Sequence, residues 1–325
     1  MPLQTGLLYN PLSGFNRRHP GALVEAAQGR AHVQVHAVRN PIEVQLALED
    51  LARQGTELLV ICGGDGTVQA VVTALLRERP FVNTPALVVL AAGTTNMIAA
   101  DAGLPGNPLA NLLRVLSQNS LASMGCVTRS VLRMQIPGQE DRYGMFLGMA
   151  AISQGIQYYQ EHLHNQGWQG LPGICLTLLR ALLPALSGRR EQLSTRLEIA
   201  VNGEQRAVSQ LSGNVLLALI TTHERLLFDL RPFWGERTAG PLRCTLVQAQ
   251  AKGMFWRLPF LALGQGKGKG WVAGTGKGYH CLHAHSLKLW LDGPLALDGE
   301  LYSPRDRQEP VSVSCGGKLN FVRRL

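Results

Sequence analysis

Three glycines and an aspartate stand together in Gly63-Gly64-Asp65-Gly66-Thr67, between an apolar run, Glu57 to Cys62, and a segment where Val68, Val71, Val72, Leu75 and Leu76 recur at helical spacing. The loop therefore leads from a buried strand into a helix. Glycines let backbone approach phosphate oxygens, and the helix that follows offers unpaired N–H groups and a favourable dipole. Asp65 is the unusual member. A carboxylate repels phosphates unless a divalent cation bridges them, so Asp65 points to Mg²⁺ or to polarisation of an acceptor hydroxyl. The plainer account is a tight turn, which does not by itself require the carboxylate. Gly93-Thr94-Thr95-Asn96 follows a second apolar run, Pro85 to Ala92, with hydroxyl and amide groups suited to a nucleotide. Thr94 or Thr95 could also cap the next helix. Neither loop has the GxGxxG or GxxxxGK[ST] spacing, so Rossmann-type hydride transfer is not expected.

These loops belong to an alternation of strands and helices. Thr5 to Asn10 and His32 to Val38 read as strands and Ile42 to Gln54 as a helix. The pattern predicts an α/β fold: a Rossmann-like parallel sheet over residues 1–125, covered by helices, with its functional loops at the carboxyl ends of the strands. From about Val127 the pattern changes to short strands and turns: VLRMQI, RYGMFLGM, RLEIAV, NVLLALIT and LRCTLVQ. Asn202-Gly203 suits a type I′ hairpin. Residues 126–325 are expected to form a β-rich, β-sandwich-like domain, with the last strands free to return to the first. Leu171 to Ser187 is expected to be helical, and Gly264 to Gly270 a loop.

A chain of 325 residues accommodates two domains at roughly 100 to 200 residues each. Its net charge of +9 favours an anionic partner. No aromatic or helical recognition signature accompanies the charge, so nucleic acid is not an expected partner. The cysteines Cys62, Cys126, Cys175, Cys244, Cys281 and Cys315 form no CxxC pair and are expected to be reduced core residues. The N-terminal residues show no secretory signal, which makes a cytoplasmic protein the expectation. No run reaches the roughly 18 apolar residues of a membrane span. The nearest, Leu171 to Arg190, is broken by Arg180 and Pro184; it suits either contact with a membrane surface or a buried helix. His280, His283 and His285 read as strand residues, the latter two on one face, and no protein metal site is expected. Lys267, Lys269 and Lys277 read as solvated charges that could attract an anionic surface. Association into a homodimer is allowed.

Asn10-Pro11-Leu12-Ser13-Gly14, then Gly63 to Thr67, then Gly93 to Asn96 resemble the ordered signatures of the diacylglycerol kinase catalytic family, which includes bacterial lipid kinases and sphingosine and ceramide kinases. Leu297-Asp298-Gly299-Glu300 is similar to that family's late Asp-Gly-Glu. The resemblance implies ATP with Mg²⁺ as phosphoryl donor and a lipid hydroxyl as acceptor, at a membrane surface. It implies that Asn10, Ser13 and Gly14 border the nucleotide, that Gly63, Gly64, Asp65, Gly66 and Thr67 bind phosphates, and that Gly93, Thr94, Thr95 and Asn96 complete the pocket. Glu300 would accept the hydroxyl proton, helped by Asp298 or Asp65. Taken alone, Asp298-Gly299 is a hairpin turn, as Asp292-Gly293 is expected to be. Two departures stand out. Thr238-Ala239-Gly240-Pro241-Leu242 occupies the place of an acidic metal-holding loop, and Val38-Arg39 stands where relatives tend to have a threonine. An NAD kinase-like phosphotransferase and a catalytically weak lipid- or nucleotide-binding protein are the rival readings.

Overall fold

The computed structural model describes residues 2–158, 160–161, 193–204, 208, 211–234, 240–253, 257 and 278–325. The segment at 171–190, the loop at 264–270, Lys267, Lys269, Lys277 and Cys175 lie outside these residues. The chain divides into two compact units: Met1–Val131 with Gly317–Leu325, and Leu132–Gly316.

In the first unit, β1 (Thr5–Tyr9), β2 (Val33–Ala37), β3 (Leu58–Gly63) and β4 (Ala86–Ala91) run parallel in the order β2-β1-β3-β4. All six residues of β3 are buried, as expected of a parallel strand covered on both faces. Leu58, Val60 and Cys62 pack with Leu7, Val88, Leu90 and Leu112. Leu59 and Ile61 therefore point the other way. On the sheet lie α1 (Gly14–Arg18), α2 (Ala22–Ala27), α3 (Pro41–Arg53), α4 (Asp65–Arg77), α5 (Met97–Ala102) and α6 (Pro108–Leu116). The start of α3 is fixed by sequence: Asn40 Oδ1 accepts from Glu43 N–H at 2.9 Å, the Asn40 amide returns to Glu43 Oε1 at 2.9 Å, and Pro41 follows the cap. Leu51 of α3 sits over Gly6, where an added Cβ would lie 2.7 Å from its Cδ1.

The second unit is antiparallel and β-rich. Its strands are β6 (Arg142–Gly144), β7 (Phe146–Ala150), β8 (Thr195–Val201), β9 (Gly213–Thr221), β10 (Leu242–Gln248), β11 (Tyr279–Ala284), β12 (Ser286–Leu291), β13 (Leu295–Leu297) and β14 (Glu300–Tyr302). β9 is the branch point, pairing with β7, β8 and β10. Leu147, Met149, Ile199, Val215, Ile220, Cys244, Leu246, Leu289 and Val313 share one core. Helix α7 (Ala151–Tyr158) follows β7 directly. At the expected hairpin, Asn202 and Gly203 have φ of 50° and 88°, and Glu204 N–H closes on Val201 O at 3.1 Å. Asp292-Gly293 joins β12 to β13, but those strands do not pair with each other, so it is a connection rather than the expected hairpin turn.

Two strands belong to both units. β5 (Gly125–Gln135) passes from the first to the second at Val131, and β15 (Val311–Arg324) passes back at Gly317. The end of β15 pairs parallel to β4, Phe321 opposite Leu87, so the first unit's sheet is completed by the far end of the chain.

Two side-chain expectations are corrected. Cys62 and Cys244 are buried, and burial pushes the Cys62 thiol up to about 12, but Cys126 and Cys315 are exposed and Cys281 is half-buried. Cys126 lies at the exposed start of β5 and Cys315 on an outward position of β15. His283 is buried within β11, whereas His285 falls past the end of that strand and is exposed, so the two do not share a strand face. Half-burial lowers the pKa of His280.

Phe321 is fully buried in the returning strand. Phe321→Ala is expected to cost about 3–5 kcal/mol, read as a lowered urea midpoint for the first unit's unfolding. A midpoint equal to wild type would show that the returning strand contributes nothing to that core.

Candidate active site

The first loop leaves β1 at Asn10, whose N–H donates to Cys62 O at 3.0 Å and so joins the ends of β1 and β3. Its side-chain amide donates to Thr67 Oγ1 at 3.0 Å, and its Oδ1 accepts from Leu12 N–H at 2.9 Å. The Asn10 carbonyl accepts from Ser13 N–H, from Ser13 Oγ and from Asn16 Nδ2. Asn16 is 5% exposed, and its Nδ2 also lies 3.1 Å from Cys62 O and 3.0 Å from Ser13 Oγ. This buried amide ties the Asn10–Gly14 loop to the strand that carries the glycine loop. Sequence reasoning missed it, because asparagine is a surface residue by default and no motif contains Asn16.

The two glycine loops are in contact. A Cβ added to Gly93 would lie 2.4 Å from the Gly64 Cα, and one on Gly63 would lie 2.6 Å from Thr67 Cβ. Asn96 adopts the left-handed conformation, φ 51° and ψ 39°, which asparagine tolerates better than most residues. Its side chain closes the loop: Oδ1 accepts from Gly93 N–H at 2.7 Å, and Nδ2 donates to Gly93 O at 2.8 Å.

Asp65 joins the loops. Its Oδ2 accepts from Met97 N–H and its Oδ1 from Ile98 N–H, both at 3.0 Å. These amides open α5, and no side-chain cap comes from that helix's own N-cap residue. A carboxylate at a helix N-terminus is favoured by the dipole as well as by the hydrogen bonds. One expectation is thereby corrected: the cap of α5 is Asp65 rather than Thr94 or Thr95, so the carboxylate has a structural role outside its own turn. Thr94 is exposed and Thr95 half-buried, and neither side chain is hydrogen-bonded among the described residues.

In the second unit, Leu297 pairs with Glu300, so β13 and β14 form a two-residue hairpin through Asp298 and Gly299. Their φ values of 48° and 95° are those of a type I′ turn. Asp298 is 4% exposed and does more than turn the chain: its Oδ2 accepts from Met145 N–H at 2.9 Å and its Oδ1 from Phe146 N–H at 2.8 Å. Gly144 makes room for it, since a Cβ there would clash with Asp298 Oδ2. Gly144 was invisible as a site residue in the sequence, where it reads as one glycine in a strand. Gln160 Nε2 donates to Gly299 O at 3.1 Å. Glu300 is exposed, and its carboxylate makes no hydrogen bond or ion pair among the described residues. At the two departures, Arg39 N–H donates to Glu43 Oε2 at 2.8 Å within the start of α3, and Gly240-Pro241-Leu242 carries no carboxylate.

The first unit thus presents glycine loops at the carboxyl ends of parallel strands, the arrangement of a phosphate-binding α/β domain. Residues 4–127 match the family model of the diacylglycerol kinase catalytic domain. The chain is 32% identical over 102 residues to a diacylglycerol kinase of Bacillus subtilis (strain 168), covering 30% of this chain and 33% of the relative. It is 28% identical over 158 residues to a diacylglycerol kinase of Staphylococcus aureus (strain JH9), covering 48% and 45%. These matches span a third to under half of the relatives' length. A crystal structure of a Bacillus anthracis str. Sterne protein assigned as a diacylglycerol kinase superposes with a TM-score of 0.66 at 15% identity, over 99% of this chain and 97% of that one. At that identity the likeness establishes the fold, α/β at the N-terminus and β-rich after it.

Asp65→Asn replaces one acceptor oxygen with an NH₂ group that faces a backbone N–H. The variant is expected to lose about 1–3 kcal/mol in chemical denaturation and to expose the Met97 and Ile98 amides to exchange. Wild-type stability with unchanged exchange would remove the carboxylate from its capping role.

Proposed function

We propose that this chain is an ATP-dependent lipid kinase that transfers the γ-phosphoryl group to a hydroxyl of a diacylglycerol- or sphingoid-like lipid. The observation that carries this reading is the pair of glycine loops at the ends of β3 and β4, locked by Asp65 immediately ahead of α4 and α5. The names of the sequence relatives support a lipid acceptor. Asn10, Ser13 and Gly14 border the nucleotide, Gly63 to Thr67 take its phosphates, and Gly93 to Asn96 complete the pocket.

A nucleotide suits these residues on two counts. The Gly66 N–H in the first turn of α4 makes no hydrogen bond among the described residues, and the Thr94 and Thr95 hydroxyls carry none there either. Asp65 and Asp298 each give both carboxylate oxygens to backbone amides, and in this reading they hold the loops in place. The cation of the reaction arrives with the nucleotide's phosphates.

In the proposed chemistry, Glu300 accepts the lipid hydroxyl proton as the oxygen attacks the γ-phosphorus in line. The bond from that phosphorus to the β–γ bridging oxygen breaks, and ADP leaves. Asp298 holds the hairpin that presents Glu300, and Asp65 holds the phosphate loops in one arrangement. Positioning supplies most of the acceleration. No helix among the described residues is long and apolar enough to cross a membrane, so the lipid is met at a membrane surface in this reading.

Incubation of the pure protein with γ-labelled ATP and a lipid extract is expected to yield labelled lipid phosphate. Label transferred to NAD instead would establish the NAD kinase-like alternative, and transfer to neither would leave a binding protein. Glu300→Gln keeps shape and removes the proton acceptor. It is expected to lower kcat by at least about 100-fold while leaving the ATP dissociation constant unchanged. Unaltered turnover would make the segment a hairpin turn and nothing more.

A further inference from the structure

Helix α5 ends in a buried ion pair that none of the chemistry above uses. Asp101 lies in its last turn with a side chain 1% exposed, and Oδ2 accepts from Arg129 Nε at 3.0 Å; the Arg129 side chain, on β5, is 9% exposed. The position is an unfavourable one for an acid, because a helix C-terminus carries partial negative charge. A buried pair also gives little net stability over apolar residues of similar volume. Stability alone therefore does not account for its presence.

Its surroundings do. The opposite end of α5 is capped by Asp65, and its N-cap residue, Asn96, is bound to both polar groups of the Gly93 peptide. Beyond the helix, Gly103 lies against β4, where a Cβ would be 2.5 Å from Val89 O, and Leu104 N–H donates to that carbonyl at 3.1 Å. β5 is held in turn, since Thr128 Oγ1 donates to Asn320 Oδ1 at 2.7 Å on the returning strand. A helix of six residues has too few internal bonds to define its own placement. Any slide or rotation of α5 moves Asn96, and with it the Gly93–Asn96 loop.

We infer that the Asp101–Arg129 pair is a positioning element that fixes α5, and through it the Gly93–Asn96 loop, in the arrangement that receives the nucleotide. The inference rests on the nucleotide reading of that loop. Arg129 and Asp101 act through the loop and do not touch the reacting groups.

The test compares wild type with Arg129→Lys and with the apolar pair Asp101→Leu/Arg129→Met. It measures thermal melting, ATP·Mg²⁺ binding by calorimetry, and amide exchange at Met97 and Ile98. The apolar pair is expected to melt close to wild type, yet to bind ATP at least about 10-fold more weakly and to exchange both amides at least about 10-fold faster. Arg129→Lys is expected to recover part of both effects, with KM for ATP rising more than kcat falls. An apolar pair that melts, binds and exchanges like wild type overturns the inference and leaves a purely structural contact. If the apolar pair does not fold, Arg129→Lys decides by the same measurements, and wild-type exchange in it overturns the proposal. A wild-type protein that binds no ATP overturns the nucleotide reading instead, and the exchange comparison then judges the positioning role separately.

Discussion

At the start of α5, two amide protons have no acceptor within the helix, and both are taken by the carboxylate of Asp65. Much of the first unit's local architecture depends on that arrangement. Because Asp65 also opens α4, its side chain couples the beginnings of two helices and the loops that precede them. Gly64 and Gly93 can then approach so closely that a single methyl group would part them. A short helix such as α5 is not stable by propensity and is held by its burial and by partners outside itself. The carboxylate thus converts two turns that could move separately into one body.

The second unit repeats the device. Asp298, also followed by glycine, gives both oxygens to the consecutive amides of Met145 and Phe146, which anchors the β13–β14 hairpin to the head of β7. In each case an acidic residue of a sequence motif is consumed by backbone. Among the described residues, the Glu300 carboxylate and the hydroxyls of Thr94 and Thr95 make no hydrogen bond, in contrast to the two aspartates that build the loops.

The strands and helices of the first unit were readable because buried parallel strands are nearly continuous apolar runs and the helices carry an apolar stripe. β3 lies within one residue of ELLVIC, and α4 contains the Val68–Leu76 stripe but begins three residues before it. The antiparallel strands were legible through alternation and through turns such as Asn202-Gly203. Motif positions were legible too, but their contacts were not. Nothing in a linear string reveals that Asp65 reaches Met97, that Asn16 is buried, or that Gly144 must lack a side chain to admit Asp298, since each depends on a partner distant in sequence. The exposed Cys126 and Cys315 mark another limit, because a cysteine's type predicts burial while its place on a strand decides it.

The return of β15 to the first unit has a consequence for how the protein is made. During synthesis, β1 to β4 and their helices emerge first, yet the strand that pairs with β4 follows the entire second unit. Until it arrives, β4 offers unpaired backbone along part of its length, the kind of edge on which nascent chains associate wrongly. The second unit meanwhile folds as an insertion whose two ends must both be delivered to the same sheet, so the contact that completes the first domain is also among the most distant in sequence. Such closure is slow relative to local pairing. Assembly of the first unit is thereby made to wait for the second, and an interrupted translation product would carry every motif of the first unit without a finished sheet to hold them.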